Sequence, residues 1–400
     1  MLRNDDESAG GWLWRALVGA TLSQVVLGVS RPALSYGALS IGVDGFGIGA
    51  LAAAFAIAPM FLAIPLGSLA GRLRRVALVP ATSAVVLIAG AMIAACGSDL
   101  LSLATAAVLL GIGNLGVLIG AQAWVSRSAP AARYSDGFGW MTAGMAFGQA
   151  VGPLLTGTVV QDEPDGFAGV SAAFWLAAAI AAVLLAVFVT PAVRRYEEAE
   201  SGVAISAGSI LRTPNVLRYM VVSAAVLTSV DLITAYLPVI GDEVGIPPST
   251  VGVMLAVRGL FSTASRVLLG PLSRRFDAST LVVSSVIGTA FCLVLISLAP
   301  TSGVMIPALA VGGFLLGVGQ PLTMTAVAVA LPAPARSRGL AIRLLGNRIA
   351  QTVAPLAAGA VVSGMGAASV FVLQIVVLTG SAVWEIAARA SGSDGPTQIG

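Results

Sequence analysis

Apolar stretches of about 20 residues, separated by short polar segments, recur along the whole chain. They fall at about 13–35, 47–69, 76–96, 99–122, 138–160 and 168–191. After a polar stretch from Arg194 to Arg218 they resume at about 218–240, 249–271, 279–299, 303–330, 339–363 and 366–388. A helix rising 1.5 Å per residue needs about 20 apolar residues to cross the hydrocarbon core of a bilayer. The pattern predicts an all-α integral membrane protein with 12 transmembrane helices. Six form an N-terminal bundle over 1–191, and six form a C-terminal bundle over 218–400 that ends in a short cytoplasmic tail. A cytoplasmic linker over 192–217 joins them. The 47 Gly and 20 Pro would count against helices in water. Membrane helices use both routinely, for close packing and for kinks.

Composition narrows the chemistry. Charged residues make up 10% of the chain, against roughly 25% in ordinary globular proteins. That excludes a soluble enzyme, a nucleic-acid binder and a disordered scaffold. All 21 basic residues are arginine, and histidine is absent. The two cysteines, Cys96 and Cys292, stand in apolar runs. No metal site, cofactor or disulfide framework is therefore expected. The acidic start, Arg3 to Glu7, has the opposite character to a cleaved signal, so no leader peptide is expected.

The charges that remain are sorted by side. With a cytoplasmic N-terminus, sixteen arginines fall in inner segments: Arg3, Arg15, Arg72, Arg74, Arg75, Arg127, Arg133, Arg194, Arg195, Arg212, Arg218, Arg274, Arg275, Arg336, Arg338 and Arg389. Outer loops hold no arginine and carry Asp44, Asp99, Asp162, Glu163, Asp165, Asp242 and Glu243. Arginine-rich loops stay cytoplasmic, so both termini are expected inside a multi-pass plasma (inner) membrane protein.

The two halves repeat at an offset of about 203 residues, which aligns Arg15 with Arg218, Gly49 with Gly252, Gly67 with Gly270 and Arg72 with Arg275. The fifth and eleventh spans share G-x4-Q-x3-P-x3-G: Gly144, Gln149, Pro153 and Gly157 against Gly346, Gln351, Pro355 and Gly359. Two pseudo-symmetric bundles follow, with a binding site expected near the bilayer midplane. With its basic loop G-S-L-A-G-R-L-R-R (Gly67 to Arg75, including Arg72), the whole chain resembles the major facilitator superfamily. Gly71 stands where that family's loop has an aspartate, and Arg74 where it has a second glycine. The second copy, G-P-L-S-R-R-F-D, has Arg274 at the acid's position. In span five Gly148, Gly152, Pro153 and Gly157 are similar to the family's antiporter motif, with Thr156 replacing one glycine. That resemblance implies alternating access and leans toward drug:proton antiport. Ala107 stands where many antiporters have an arginine in span four.

Charges inside spans are costly and face a cavity or a partner. Six lie there: Arg31, Asp231, Arg258, Arg266, Arg343 and Arg348. Asp231 and Arg258 are near mid-depth, where an ion pair is the economical expectation. Arg348 stands beside Asn347 and Gln351, while Arg266 and Arg343 are read as structural. Uncharged polar groups at similar depth are Gln24, Asn114, Gln149 and Gln320. Together Gln24, Arg31, Asn114, Gln149, Asp231, Arg258, Gln320, Asn347, Arg348 and Gln351 are the candidate substrate cavity. Phe55, Trp124 and Trp140 either line the path or take lipid-facing or interfacial positions, as membrane aromatics commonly do.

The expected function is secondary active transport of a small organic solute as a functional monomer, by proton-coupled efflux with Asp231 as the coupling group. No G-x4-G-K-[ST] sequence exists to bind ATP. The alternative substrate is an organic anion held by the arginines of spans eight and eleven. A non-transporting membrane sensor is the alternative of another class.

Overall fold

The structure is a computed structural model that describes residues 5–73, 75, 77–128, 134–160, 167–189, 207–213, 215–331, 336–365 and 369–390. Arg3, Arg74, Arg133, Asp162, Glu163, Asp165, Arg194 and Arg195 lie outside the described residues, as do the side chains of Arg72, Arg127, Arg336, Arg338 and Arg389. No strand occurs among the described residues.

The helices of the first half are α1 (Asp5–Ser40), α2 (Gly45–Arg72), α3 (Leu78–Cys96), α4 (Leu100–Ser128), α5 (Tyr134–Val159) and α6 (Ala168–Val189). Those that follow are α7 (Ala207–Leu211), α8 (Val216–Glu243), α9 (Pro248–Val267), α10 (Leu269–Arg275), α11 (Ala278–Leu298), α12 (Ser302–Val329), α13 (Arg336–Met365) and α14 (Val370–Ala390). Twelve of them, all but α7 and α10, coincide with the twelve apolar stretches. Six of them, α1, α2, α4, α5, α8 and α13, are longer than their stretches, because backbone hydrogen bonding continues after hydrophobicity ends. Among the described residues nine helices are each long and apolar enough to cross a membrane, and the bent pair α9–α10 makes a tenth. The expected linker contains α7, whose Ile210 packs with Val216, Tyr219, Met220, Val327 and Leu331.

Contacts divide the chain into two units. Unit 1 comprises Met1–Val43, Ala54–Glu200 and Pro247–Ala256; unit 2 comprises Asp44–Ala53, Ser201–Ile246 and Val257–Gly400. In unit 1, α1 packs on α4, α5 and α6, and α3 packs on α4 and α6. In unit 2, α8 packs on α12, α13 and α14, and α11 packs on α12 and α14. Each pair in one unit has its counterpart in the other. The duplicated sequence therefore builds the same packing twice.

The turns repeat too. Gly42 and Gly245 follow α1 and α8 with φ of 73° and 71°. Beyond them Val43 N donates to Ala38 O at 2.9 Å, and Ile246 N to Gly241 O at 2.7 Å. These bonds close each helix end on a left-handed glycine, which L side chains disfavour.

One element breaks the symmetry. The helix α2 runs unbroken to Arg72, whereas α9 bends by 57° into α10. Pro271 has no N–H for the carbonyl of Val267, and its ring crowds that carbonyl. The bend falls at that point. The corresponding position in α2 is Ser68, which keeps its N–H.

Candidate functional site

In unit 1 the site begins with glycines. A Cβ on Gly28 of α1 would lie 2.9 Å from Gly152 Cα and 3.0 Å from Pro153 Cδ of α5. A Cβ on Gly148 would meet Thr21 O and lie 2.9 Å from Gln24 Cβ. The small-residue stripe thus lets the α5 backbone lie directly on α1, which brings Gln149 to Gln24. Gln149 Nε2 donates to Gln24 Oε1 at 2.9 Å, and Gln24 Nε2 donates to Asn114 Oδ1 of α4 at 3.1 Å. Ser23 Oγ donates to the same Asn114 oxygen at 3.0 Å. Three helices are joined by one chain of neutral groups. Arg31 is half-buried, with its guanidinium carbon 5.2 Å from the centre of the Phe55 ring. A cation over an aromatic face is attracted by the ring quadrupole.

Unit 2 holds the charged counterpart. Asp231 of α8 is buried, and its Oδ2 accepts from Gln351 Nε2 of α13 at 2.5 Å. Gln351 Oε1 in turn accepts from Arg348 Nη1 at 3.1 Å. The orientation of the amide is dictated by its neighbours, since guanidinium only donates and carboxylate only accepts. Arg258 of α9 is buried at 3% exposure, and Asn347 of α13 at 2%. The Oδ1 of Asn347 meets no donor among the described residues. Gln320 of α12 stands apart from Asp231's chain and accepts from Arg266 Nη2 at 3.2 Å through Oε1, and from Arg343 Nη2 at 3.2 Å through its backbone oxygen.

The two clusters are the same device with different chemistry. Gln149 and Gln351 are repeat partners, and each donates to the first helix of its half, to Gln24 on α1 or to Asp231 on α8. Their neighbours on the motif correspond as well. In unit 1, Gly157 packs its backbone against Gly252 and Pro248, and Gly252 packs against Pro153 O. In unit 2, Gly359 packs against Gly45 and Phe46, and Gly49 against Pro355 O. Tyr236 Oη donates there to Gly45 O at 3.0 Å and also lies 3.4 Å from Pro355 O. Backbone contacts of this kind account for the shared glycines and for the proline carbonyls that face a neighbouring helix.

The loop residues stand apart from both clusters. Gly67 is exposed, and a Cβ there would meet nothing within 4 Å; Arg72 ends α2, and Arg75 is exposed. Several contributors are not singled out by spacing or charge. Thr156, which replaces a motif glycine, donates to Val29 O of α1 at 2.9 Å. Gln374 Nε2 of α14 donates to Ser229 Oγ and to Ala225 O of α8, both at 2.7 Å; an amide in an apolar stretch is the signal that points to it. Phe55 is the ring beneath Arg31.

Arg218 differs most from its position in the sequence reading. Counted with the arginines of the inner segments, Arg218 is 2% exposed, and its Nε is 2.9 Å from Glu385 Oε2. Ser279 Oγ donates to the other carboxylate oxygen at 2.6 Å. Among the described residues the buried acids are Asp231 and Glu385, against buried Arg218, Arg258, Arg343 and Arg348. With Glu385 matched to Arg218, one buried acid stands against three buried arginines.

No curated protein sequence matches this chain significantly. Solved structures do. The nucleoside transporter NupG is similar over 94% of this chain and 99% of its own, with a TM-score of 0.78 at 13% identity. A POT family transporter in complex with a thioalcohol-conjugated peptide is similar over 95% and 96%, with a TM-score of 0.76 at 12% identity. The D-xylose–proton symporter is similar over 93% and 96%, with a TM-score of 0.74 at 12% identity. At these identities the likeness is one of fold. The family model described as Major Facilitator Superfamily matches residues 16–241 and 219–399, once for each half. Duplicated packing, an all-helical fold and a match to both repeats make the chain a member of the Major Facilitator Superfamily, a family of transporters rather than enzymes.

Proposed function

We propose that this protein is a proton-coupled secondary transporter of small organic anions, working by alternating access as a monomer in the plasma membrane with both termini cytoplasmic. The observation that supports coupling is the Asp231–Gln351–Arg348 chain. An ionised Asp231 accepts a charge-assisted bond from the Gln351 amide, which is stronger than a neutral one. A proton on Asp231 removes that charge and weakens the tie between α8 and α13. Proton binding is thereby linked to how the two helices pack. The substrate class is supported by the basic character of the buried groups of unit 2, where Arg258, Arg343 and Arg348 lie buried among the described residues. A carboxylate is the group whose geometry matches guanidinium forks such as those of Arg258 and Arg348. Export is the direction favoured by the Gly148–Gly157 stripe, through its similarity to the antiporter motif.

The test is solute flux in proteoliposomes under an imposed pH gradient, with a panel of carboxylates and of neutral and cationic organic compounds. Gradient-driven carboxylate flux is expected in the natural protein. Asp231→Asn should abolish gradient dependence while leaving solute exchange. Undiminished coupling in that variant would remove Asp231 from the mechanism, and flux of no solute at all would favour the sensor alternative.

A further inference from the structure

One contact is built twice, once in each unit. In unit 2 the first turns of α2 lie on α13: a Cβ on Gly49 would run into Pro355 O, and a Cβ on Gly359 would lie 3.0 Å from both Gly45 O and Phe46 Cα. In unit 1 the first turns of α9 lie on α5, where a Cβ on Gly252 would lie 2.6 Å from Pro153 O and one on Gly157 2.7 Å from Pro248 O. The positions correspond through the repeat, Gly49 with Gly252, Gly45 with Pro248, Pro355 with Pro153 and Gly359 with Gly157. Each seam also lies where a helix passes from one unit to the other. Asp44–Ala53 of α2 group with unit 2 and the rest of that helix with unit 1, while Pro247–Ala256 group with unit 1 and the rest of α9 with unit 2. A helix shared in this way must part at its seam, or bend, when one unit moves against the other.

The seams differ in one group. Tyr236 of α8 is fully buried, and its hydroxyl donates to Gly45 O at 3.0 Å and lies 3.4 Å from Pro355 O. It sits at the closest point of the seam, 2.6 Å from a Cβ on Gly49 and 3.0 Å from one on Gly359. Both carbonyls belong to helices, and a carbonyl's second lone pair can accept the phenol without loss of the ladder bond. At the repeat position of Tyr236 stands Ala33, which is buried and brings no hydroxyl to the other seam.

We infer that Tyr236 is a clasp that makes the two seams unequal: it fastens α2 to α8 and α13, and leaves the α9–α5 seam as the one that parts first. Ring and hydroxyl have separate tasks. The buried ring fills space as any large aromatic does, whereas the hydroxyl ties three helices at a single point. Loss of the hydroxyl alone therefore releases the seam without emptying the core. The inference rests on the geometry of the seams and is independent of the solute, its charge and the coupling ion.

The test is hydrogen–deuterium exchange of the full chain in lipid nanodiscs, read by mass spectrometry on peptides covering Asp44–Ala53 and Pro247–Ala256 and corrected for intrinsic rates. In the natural protein the first segment is expected to exchange more slowly. Tyr236→Phe should speed exchange in Asp44–Ala53 about fivefold, the equilibrium worth of one neutral hydrogen bond, and leave Pro247–Ala256 unchanged. A rise of equal size throughout the chain would assign the hydroxyl a general part in stability, and no rise would make it idle; either result overturns the inference. Faster exchange of Asp44–Ala53 than of Pro247–Ala256 in the natural protein overturns it as well, and that comparison needs no variant to fold.

Discussion

Gln351 donates to Asp231 at 2.5 Å and accepts from Arg348 at 3.1 Å, so a single amide separates a buried acid from a buried base. Its repeat partner Gln149 makes a neutral bond to Gln24 at 2.9 Å. Replacing Gln351 with Leu leaves two charged groups without that partner, which costs about 1.5–3 kcal/mol. Gln149→Leu loses a neutral bond, worth about 0.5–1.5 kcal/mol. Thermal unfolding in detergent should therefore show the larger loss for Gln351→Leu. The reverse order would mean that the amide does not bridge the charges.

The glycine stripe makes a position-specific prediction. A Cβ on Gly152 would run into the backbone of Gly28, which has no flexible end to move aside. Gly152→Ala should cost about 1–3 kcal/mol through overpacking. Gly346 and Gly67 have nothing within 4 Å of a Cβ, and alanine in a helix gains about 0.5–1 kcal/mol over glycine. Melting temperatures of the three alanine variants check this, with Gly152→Ala lowest and the other two at or above the parent.

Glu385 and Arg218 are both almost fully buried, at 0% and 2% exposure. Removing one partner strands the other charge, at about 3–5 kcal/mol. Glu385→Ala is expected to lose most of the folded yield. Replacing both residues with methionine should recover it, because a buried apolar pair avoids desolvation. A double variant as unstable as the single one would refute pairing as the source of stability.

Pro271→Ala restores an N–H to the carbonyl of Val267. The 57° bend between α9 and α10 should then relax toward the unbroken course of α2. Spin labels at exposed Leu260 and Ser273 report the change as a longer distance between them. An unchanged distance would assign the bend to tertiary packing instead of to the proline.

Long-range order is legible in the sequence where local composition carries it. A bilayer accepts only helices or closed barrels, so runs of about 20 apolar residues already dictate helices. The halves are legible because each repeat folds under the same rules. The shared G-x4-Q-x3-P-x3-G pattern identifies residues that the structure then brings into equivalent contacts. Arg218 is not legible as a buried group: it stands at a helix start among loop arginines, and only the packing of α8, α11 and α14 brings Glu385 and Ser279 to it. Arg266 and Arg343 read as separate structural charges, because 77 residues and three intervening helices separate them in the chain.

The sequence by itself determined the helices, their duplication and the pool of polar groups in apolar surroundings, since hydrophobicity and backbone hydrogen bonding act along the chain. Tertiary structure alone decided the partners. Whether a buried glutamine meets another glutamine or an aspartate depends on which faces of three helices meet. That is set by close backbone approach at residues such as Gly28 and Gly152, and by the register of α13 on α8.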